Sequence, residues 1–290
     1  MSKRVMAAIA ALTISGGAAL AQEVKVGVVL PYTGIGAEFA RQMDRGMELY
    51  LKLNPDQVKP YTITIIKRDS KAPSGADAKI AVQELLTQDK VDLLLPPWGT
   101  PTHFAVAPLA QKYKVPIVGG TAASVKLREM KNDWFWFVSW MPDVQERALV
   151  DLLKDLKVKT AAVAYLQEIF PKENLQFLEP YLKEAGISIA LLKDYPVAEK
   201  DLKTLLSQIK AKSPDAVICL SYPSDTLTIV TQAQEVGLNP KLMFNLVGPA
   251  TIAFKPKFGP AVEGITGMGN WSAKMKTFGN KEFVDSVEAR

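Results

Sequence analysis

Residues 215–247 read DAVICLSYPSDTLTIVTQAQEVGLNPKLMFNLV, and this stretch decides the fold class. Asp215–Tyr222 is a nearly continuous apolar run, which predicts a strand covered on both faces. The helical pattern of Ser224–Val236 follows and stops at Gly237, and Lys241–Val247 predicts the next strand. A strand, a helix and a second strand in this order indicate a parallel βαβ unit.

The same alternation runs through the rest of the chain. The other predicted strands are Val24–Leu30, Tyr61–Ile66, Val91–Leu95, Val115–Val118, Trp134–Trp140, Thr160–Leu166 and Ser188–Leu192. Three predicted helices begin at recognisable N-terminal signals: a capping box of Ser74 with Asp77, Thr100 as N-cap, and a capping box of Asp143 with Glu146. Two further helices are predicted over Asn174–Ala185, which ends before Gly186, and over Asp201–Ala211. We therefore predict an α/β fold of two doubly wound, Rossmann-like lobes joined by a hinge, with the N-terminal lobe over residues 22–141 and the C-terminal lobe over residues 142–268.

Residues 1–21, MSKRVMAAIAALTISGGAALA, have the organisation of a cleavable signal peptide. Lys3 and Arg4 precede the apolar segment Val5–Ile14, and Ala19-Leu20-Ala21 supplies a small-residue cleavage site. A membrane anchor is the alternative, but the apolar stretch of about 17 residues is shorter than the ~20 that span a bilayer. We therefore predict secretion into the periplasm, with a mature chain that begins near Gln22.

The composition excludes several classes of function. The 290 residues carry a net charge of +5, which is too small to indicate nucleic acid as a partner. The single cysteine, Cys219, is predicted to be a buried thiol, and a single histidine cannot form a His-based metal cluster. His103 is predicted to be a surface or half-buried helix residue rather than a catalytic base. Because the chain has no G-x-S-x-G elbow and no P-loop, we predict no enzyme activity, no cofactor and no metal site.

Two loops at the carboxyl ends of predicted strands are candidates for ligand binding. Residues 96–102 (PPWGTPT) follow the third strand, and residues 119–124 (GGTAAS) follow the fourth. Both place small and hydroxylated residues at a helix start, where free N–H groups bind carboxylates or phosphates. Together they predict a pocket for a small anion, and plain helix capping is the alternative for either loop. The aromatic residues of Trp134–Trp140 are predicted to be core, with Trp140 at the pocket as the alternative.

The order and spacing of several motifs carry a resemblance to a known family. The motifs are VGVVLPYTG (26–34), KVPIVGGTAAS (114–124), FVSWMPDVQERA (137–148), EKDLKTLLSQIKAKSPDAV (199–217) and TQAQEVGLNPKLM (231–243). With them the chain resembles the periplasmic solute-binding proteins of ABC importers, of the branched-chain (leucine/isoleucine/valine) amino acid type, from about Val24 to Trp271. The resemblance implies a type I periplasmic-binding-protein-like fold, a small-molecule solute held in the interlobe cleft, and a permease in the inner membrane as partner.

The resemblance also implies which residues bind the ligand. In the family, one lobe holds the ligand's carboxylate at two loops, and the other lobe supplies an aromatic residue and an acid that pairs with the ligand's ammonium. The loop that corresponds to the acid reads Phe244-Asn245-Leu246-Val247-Gly248 and holds no acid, so Asp225 is the candidate substitute. The implied binding residues are Phe39, Trp98, Gly99, Thr100, Thr121, Ala123, Phe170, Tyr222, Asp225 and Leu246.

The missing acid weakens the expectation of an α-amino acid ligand. A buried ammonium without a partner costs several kcal/mol, so a hydrophobic or aromatic carboxylate is the expected alternative. Family members also continue well beyond residue 290, and we predict that residues 269–290 are a truncated return segment toward the N-terminal lobe. The alternatives to a transport subunit are a ligand-sensing receptor subunit of the same fold, an exported enzyme and a truncated, non-binding remnant.

Overall fold

The computed structural model describes residues 22–71, 74–95, 97–251, 254–269 and 271–288. The predicted signal peptide, residues 1–21, lies outside the described residues. The strands of the described residues form two five-stranded sheets, and in both sheets every pair of neighbouring strands is parallel. Among the described helices, none combines the length and apolar character needed to cross a bilayer.

The first sheet and its helices form what we name the N-terminal lobe. Its strands are β1 (Gln22–Leu30), β2 (Tyr61–Asp69), β3 (Leu93–Leu95), β4 (Ile117–Gly119) and β5 (Phe135–Phe137), in the order β2-β1-β3-β4-β5. Its helices are α1 (Ala37–Leu53), α2 (Pro55–Val58), α3 (Gly75–Glu84), α4 (Thr100–Tyr113) and α5 (Val125–Arg128).

The second sheet and its helices form what we name the C-terminal lobe. Its strands are β6 (Thr160–Leu166), β7 (Ser188–Tyr195), β8 (Ala216–Leu220), β9 (Leu242–Asn245) and β10 (Ile265–Thr266), in the order β10-β9-β8-β6-β7. Its helices are α6 (Pro142–Asp155), α7 (Ile169–Glu184), α8 (Lys203–Ala211), α9 (Pro223–Glu235) and α10 (Phe254–Phe258), and α11 (Asn280–Glu288) follows the sheet.

In each lobe the strand order reverses once, and this reversal places the site. The chain leaves β1 for β2 and returns to β3 on the other side of β1, and it does the same from β6 through β7 to β8. A crevice forms at the carboxyl ends of the strands that flank such a reversal. Trp98 follows β3, Phe170 follows β6 and Tyr222 follows β8, so the topology aims these three rings at the crevices.

The apolar run that decided the fold class lies at the centre of the second sheet. All five residues of β8 are buried, and they pair with β6 on one side and β9 on the other. The predicted strand covered on both faces is therefore confirmed. Cys219 is a buried free thiol, as predicted, and burial raises its pKa to about 12.

Several helix ends follow the sequence signals. The Ser74 hydroxyl accepts a hydrogen bond of 3.1 Å from the Asp77 N–H, which confirms the predicted start of α3. Gly186 and Gly237, which follow α7 and α9, have φ angles of +69° and +64°. This left-handed conformation favours glycine, so both glycines end their helices as predicted.

Two predicted helix starts are wrong. Pro142 is the first residue of α6, so the N-cap is Met141 and the predicted capping box of Asp143 with Glu146 does not form. In α4 the His103 N–H donates to the Gly99 carbonyl at 3.3 Å, so the helix begins one residue earlier than predicted, with Gly99 as N-cap and Thr100 as the first helical residue. The fifth predicted strand is also shorter than expected, because only Phe135–Phe137 pairs with β4.

Candidate functional site

A cleft between the two lobes encloses a cavity of about 270 Å³. The N-terminal lobe contributes the start of α1, the residues after β3 and the residues after β4 to its wall. The C-terminal lobe contributes the first turn of α7, the end of β8 and the segments after β9 and β10. The lining residues are Phe39, Gln42, Trp98, Gly99, Thr100, Thr121, Ala122, Ala123, Trp140, Phe170, Tyr222, Val247, Ala250, Met268, Gly269 and Trp271.

Five aromatic rings form a continuous chain along this cleft. Phe39 stacks on Trp98 with ring centroids 5.3 Å apart, and Trp98 lies 5.7 Å from Tyr222. Tyr222 lies 5.7 Å from Phe170, and Phe170 meets the edge of Trp140 at 6.0 Å. The contact of Trp98 with Tyr222 joins the two lobes. The cleft is therefore an aromatic slot of the kind that holds a flat or apolar group.

The N-terminal lobe supplies hydrogen-bond donors at the start of α4. Gly99 has a φ angle of +89°, a conformation that L side chains rarely adopt, and it lets the chain turn into the helix. Thr100 and Thr102 lie in the first turn, where the helix provides no acceptor for their N–H groups. Such N–H groups, together with the helix dipole, favour a bound anion.

Four hydrogen bonds hold the two predicted anion-binding loops together. The Gly99 N–H donates to the Thr121 carbonyl at 3.0 Å, and the Thr121 hydroxyl donates to the Pro97 carbonyl at 3.1 Å. The Thr100 hydroxyl lies 3.4 Å from both the carbonyl and the N–H of Ala123. The loops after β3 and β4 therefore form one preorganised wall of the cleft.

His103 lies beneath this wall and is fully buried, so its predicted surface or half-buried position is wrong. Its Nδ1 lies 2.8 Å from the Gly99 carbonyl, and the Gly120 N–H donates to its Nε2 at 3.3 Å. The proton of the neutral ring is therefore on Nδ1, which donates to Gly99. Burial lowers the pKa of His103 to about 4, so the ring stays neutral near pH 7.

His103→Leu is expected to lower the free energy of unfolding by about 2 kcal/mol at pH 7, because the Gly120 N–H loses its acceptor and the Gly99 carbonyl loses one of its donors. Urea denaturation of the two proteins measures this difference. Gln111→Ala, on the exposed face of the same helix, is the control and is expected to change the free energy by less than about 0.5 kcal/mol. Equal stability of His103→Leu and the parent protein would contradict the structural role of the ring.

Tyr222 contributes the main unpartnered polar group of the opposite wall. Its ring is buried, and its hydroxyl has no hydrogen-bond partner among the described residues. Burial raises the pKa of this phenol well above its ordinary value, and the nearby carboxylates of Glu168 and Asp225 raise it further. The hydroxyl therefore stays protonated and remains available as a donor or acceptor for a polar group in the cleft.

Asp225 and Leu246 do not line the cavity, in contrast to the other eight predicted binding residues. Asp225 accepts a hydrogen bond of 2.5 Å from the Tyr195 hydroxyl inside the C-terminal lobe, and burial raises its pKa to about 6. Leu246 is fully buried in the core, and its carbonyl accepts from the Met268 N–H at 2.7 Å. The next residue along the chain, Val247, faces the cleft instead.

Sequence reasoning missed several lining residues and left one open. Gln42 follows Phe39 by three residues, so the helical periodicity of α1 would have placed both side chains on the same face. Trp140, which the sequence left as an alternative to core, lines the cavity. Met268, Gly269 and Trp271 come from the return of the chain after β10, a placement that no local pattern shows.

The described lining residues include no Asp, Glu, Lys, Arg or His. The donors of the cleft are therefore backbone N–H groups, hydroxyls, the Gln42 amide and indole N–H groups. Among the described residues, no group of three or more His, Cys, Asp or Glu side chains is placed to hold a metal ion. The site is suited to hold a ligand by hydrogen bonds and ring contacts.

A family model described as periplasmic binding protein matches residues 23–290. This chain belongs to the periplasmic binding protein family. The Leu/Ile/Val-binding protein homolog 6 of Brucella suis is 26% identical to this periplasmic binding protein over 232 residues, which cover 79% of the chain and 58% of that relative. The chain thus spans 58% of the length of this relative. The predicted resemblance to the branched-chain amino acid type is confirmed.

Two solved structures share the fold of this periplasmic binding protein. A solute-binding protein of an ABC transporter from Rhodopseudomonas palustris, in complex with 4-hydroxybenzoate, has a TM-score of 0.85 at 23% identity and covers 92% of this chain and 73% of its own. A solute-binding protein from Rhodopseudomonas palustris BisB5, in complex with 3,4-dihydroxybenzoic acid, has a TM-score of 0.82 at 25% identity. The match covers 92% of this chain and 74% of that protein. The predicted type I fold with two Rossmann-like lobes is confirmed.

Proposed function

We propose that this chain is the extracytoplasmic substrate-binding subunit of an ABC importer, exported through its N-terminal signal peptide, and that it captures a small carboxylate-bearing solute in the interlobe cleft. The observation that carries the proposal is the cavity itself, with N–H donors on one wall and five aromatic rings along the slot. Family membership supports the solute-binding role. The partner of the loaded protein is an ABC permease of the inner membrane.

The carboxylate of the solute lies at the start of α4 in this proposal. The N–H groups of the first turn and the positive end of the helix dipole both favour a negative charge there. The loops after β3 and β4 are fixed to each other by the hydrogen bonds around Thr100 and Thr121, so little ordering cost arises on binding. Gly99, Thr100, Thr121 and Ala123 form the carboxylate end.

The rest of the solute is an aromatic ring without an ammonium group. The described lining residues contain no acid that could pair with an ammonium, and burying that charge unpaired costs several kcal/mol. A flat ring fits in the cavity against the faces or edges of Trp98, Phe170 and Tyr222, which line it from the two lobes. The two Rhodopseudomonas proteins, named as complexes with hydroxylated benzoates, support this class.

An α-amino acid is the second candidate. The name of the Brucella suis relative supports it, and Asp225 lies one turn from Tyr222 as the nearest buried carboxyl group on α9. Its hydrogen bond from Tyr195 already uses one of its oxygens, however, and it does not line the cavity. The geometry therefore favours the aromatic carboxylate.

Capture proceeds by closure of the two lobes. The solute docks on the wall at α4, and the C-terminal lobe then rotates about the connections between the lobes, one of them near residue 141, until Tyr222 meets Trp98. Closure removes the ring from water and completes the aromatic slot. The closed form is the state that the permease recognises.

Titration calorimetry with four compounds tests the ligand class. We expect 4-hydroxybenzoate to bind, whereas 4-hydroxybenzyl alcohol, which keeps the ring and lacks the carboxylate, binds at least about 100-fold more weakly, because a lost charged partner is worth about 3 kcal/mol. L-Leucine and L-phenylalanine are expected to bind more weakly than 4-hydroxybenzoate by a similar factor. Tighter binding of either amino acid would overturn the aromatic class, and binding of none of the four would contradict the proposed carboxylate site.

A further inference from the structure

A hydrogen bond joins the two lobes beside the cleft. The Val125 N–H of the N-terminal lobe donates to Oε1 of Glu173 of the C-terminal lobe at 2.8 Å. The Glu173 side chain is buried. The loss of a buried hydrogen bond is costly, because it leaves both of its polar groups without a partner.

Both ends of this bond are directly connected to the walls of the cavity. Glu173 follows Phe170 by three residues on α7, so the two side chains lie on one face of that helix. Val125 follows Ala123 by two residues, at the end of the second anion-binding loop. The bond therefore links a loop that lines the cavity on one lobe with a helix that lines it on the other.

The position of Val125 explains why the N-terminal lobe leaves this N–H to the other lobe. Val125 is the first residue of α5, and the N–H groups of a first helical turn have no acceptor within their own helix. The side chain of Ser124, the N-cap, forms no cap hydrogen bond, and its buried hydroxyl has no partner among the described residues. Glu173 of the other lobe is the acceptor for the Val125 N–H.

We propose that Glu173 is a positioning residue that latches the lobes in the closed form and fixes the loop at residues 121–125 against the solute. When the lobes separate, the Val125 N–H and the Glu173 carboxylate move apart and are hydrated. The bond thus exists in one of the two states and shifts the equilibrium toward closure. The effect on binding rests on the proposed function, whereas the effect on closure is a property of the chain alone.

A second contact crosses the same junction and serves as a comparison. Arg128 on α5 lies 3.6 Å from Asp143 on α6, and both side chains are partly exposed. An ion pair of this kind contributes little because water and salt screen it. The buried bond of Glu173 is therefore the stronger of the two interactions.

Pulsed electron paramagnetic resonance on the ligand-free chain measures the latch without any solute. Spin labels at Arg45→Cys on α1 and Ser224→Cys on α9 report the separation of the lobes, because the two helices belong to different lobes. Both positions are exposed and therefore accessible to the label. Cys219 is buried and stays unlabelled. We expect Glu173→Ala to raise the ratio of open to closed molecules about tenfold, and Glu173→Gln, which keeps an acceptor oxygen, to raise it less.

The same variants are then compared in stopped-flow release of 4-hydroxybenzoate, where Glu173→Ala is expected to accelerate dissociation about tenfold with little change in the association rate. Asp143→Asn and Glu184→Gln are the controls. Glu184 lies on the same helix as Glu173, but its partner Arg147 is in the same lobe. We expect neither control to change the distances or the dissociation rate by more than about twofold. Coinciding distance distributions for Glu173→Ala and the parent protein would overturn the latch. Failure of 4-hydroxybenzoate to bind would count against the ligand class alone, because the distances are measured without it.

Discussion

Glu146→Gln is expected to stabilise the protein at pH 8 and to leave its stability almost unchanged at pH 4.5. Glu146 is fully buried on α6, and neither carboxylate oxygen has a hydrogen-bond partner among the described residues. Burial raises the pKa of this carboxyl from its ordinary 4.5 to about 8. Below pH 8 the folded protein thus holds a proton that the unfolded chain releases above pH 4.5.

The free energy of unfolding of the parent protein therefore falls as the pH rises through this window. The slope is about 1.4 kcal/mol per pH unit, which amounts to about 4 kcal/mol between pH 4.5 and pH 8. Glu146→Gln has a similar shape and no such proton, so the penalty disappears. Urea denaturation of both proteins at pH 4.5, 6.5 and 8 measures the difference.

Asp151→Asn is the matched control for this substitution. Asp151 lies on the exposed face of the same helix and pairs with Lys154 at 3.6 Å, with both side chains more than half exposed. We expect this variant to change the free energy of unfolding by less than about 0.5 kcal/mol at every pH. A Glu146→Gln protein that is destabilised equally at all three pH values would show that the carboxyl is ionised and paired in the folded state.

His103 produces a slope of the opposite sign. Burial lowers its pKa from 6.5 to about 4, so the unfolded chain takes up a proton that the folded protein refuses. The stability from this residue is present above pH 6.5 and is lost as the pH falls toward 4. Between pH 4.5 and 6.5 the two slopes oppose each other, and Glu146→Gln exposes the slope of His103 alone.

The sequence predicted the fold where one local pattern determined one structure. The run Asp215–Tyr222 can only be a covered strand in this context, and β8 forms within it as the central strand of its sheet. Gly186 and Gly237 mark helix ends because a left-handed residue is needed there. The sequence did not determine the first residues of α4 and α6, because Pro101 and Pro142 fit more than one position of a first helical turn.

The sequence predicted lining residues of the candidate site where the fold itself brings strand ends together. Trp98, Phe170 and Tyr222 are far apart in sequence and meet because each follows a strand beside a reversal of the strand order. Burial of a polar side chain was not predictable in the same way. His103 and Glu146 lie on helices whose sequence patterns show which face is apolar. A titratable side chain is expected to be exposed, however, and only the packing of the neighbouring elements shows that these two are buried.

Trp98→Ala is expected to weaken the binding of 4-hydroxybenzoate about 300-fold. Trp98 is only 6% exposed, stacks on Phe39 and touches Tyr222 across the cleft, so its ring completes the contact between the lobes and, in the proposed complex, covers the solute. Removing such a central aromatic residue commonly costs about 3 kcal/mol or more of binding free energy. Titration calorimetry of the folded variant measures the loss.

Trp136→Ala is the control for this loss, because Trp136 is 63% exposed on β5 and does not line the cavity. We expect it to bind 4-hydroxybenzoate within about twofold of the parent protein. Trp98→Phe keeps a ring in contact with Phe39 and is expected to lose only about tenfold, since part of the buried aromatic area remains. If Trp98→Ala folds and binds within about threefold of the parent protein, the solute does not lie in the aromatic slot, because no other described ring touches both Phe39 and Tyr222.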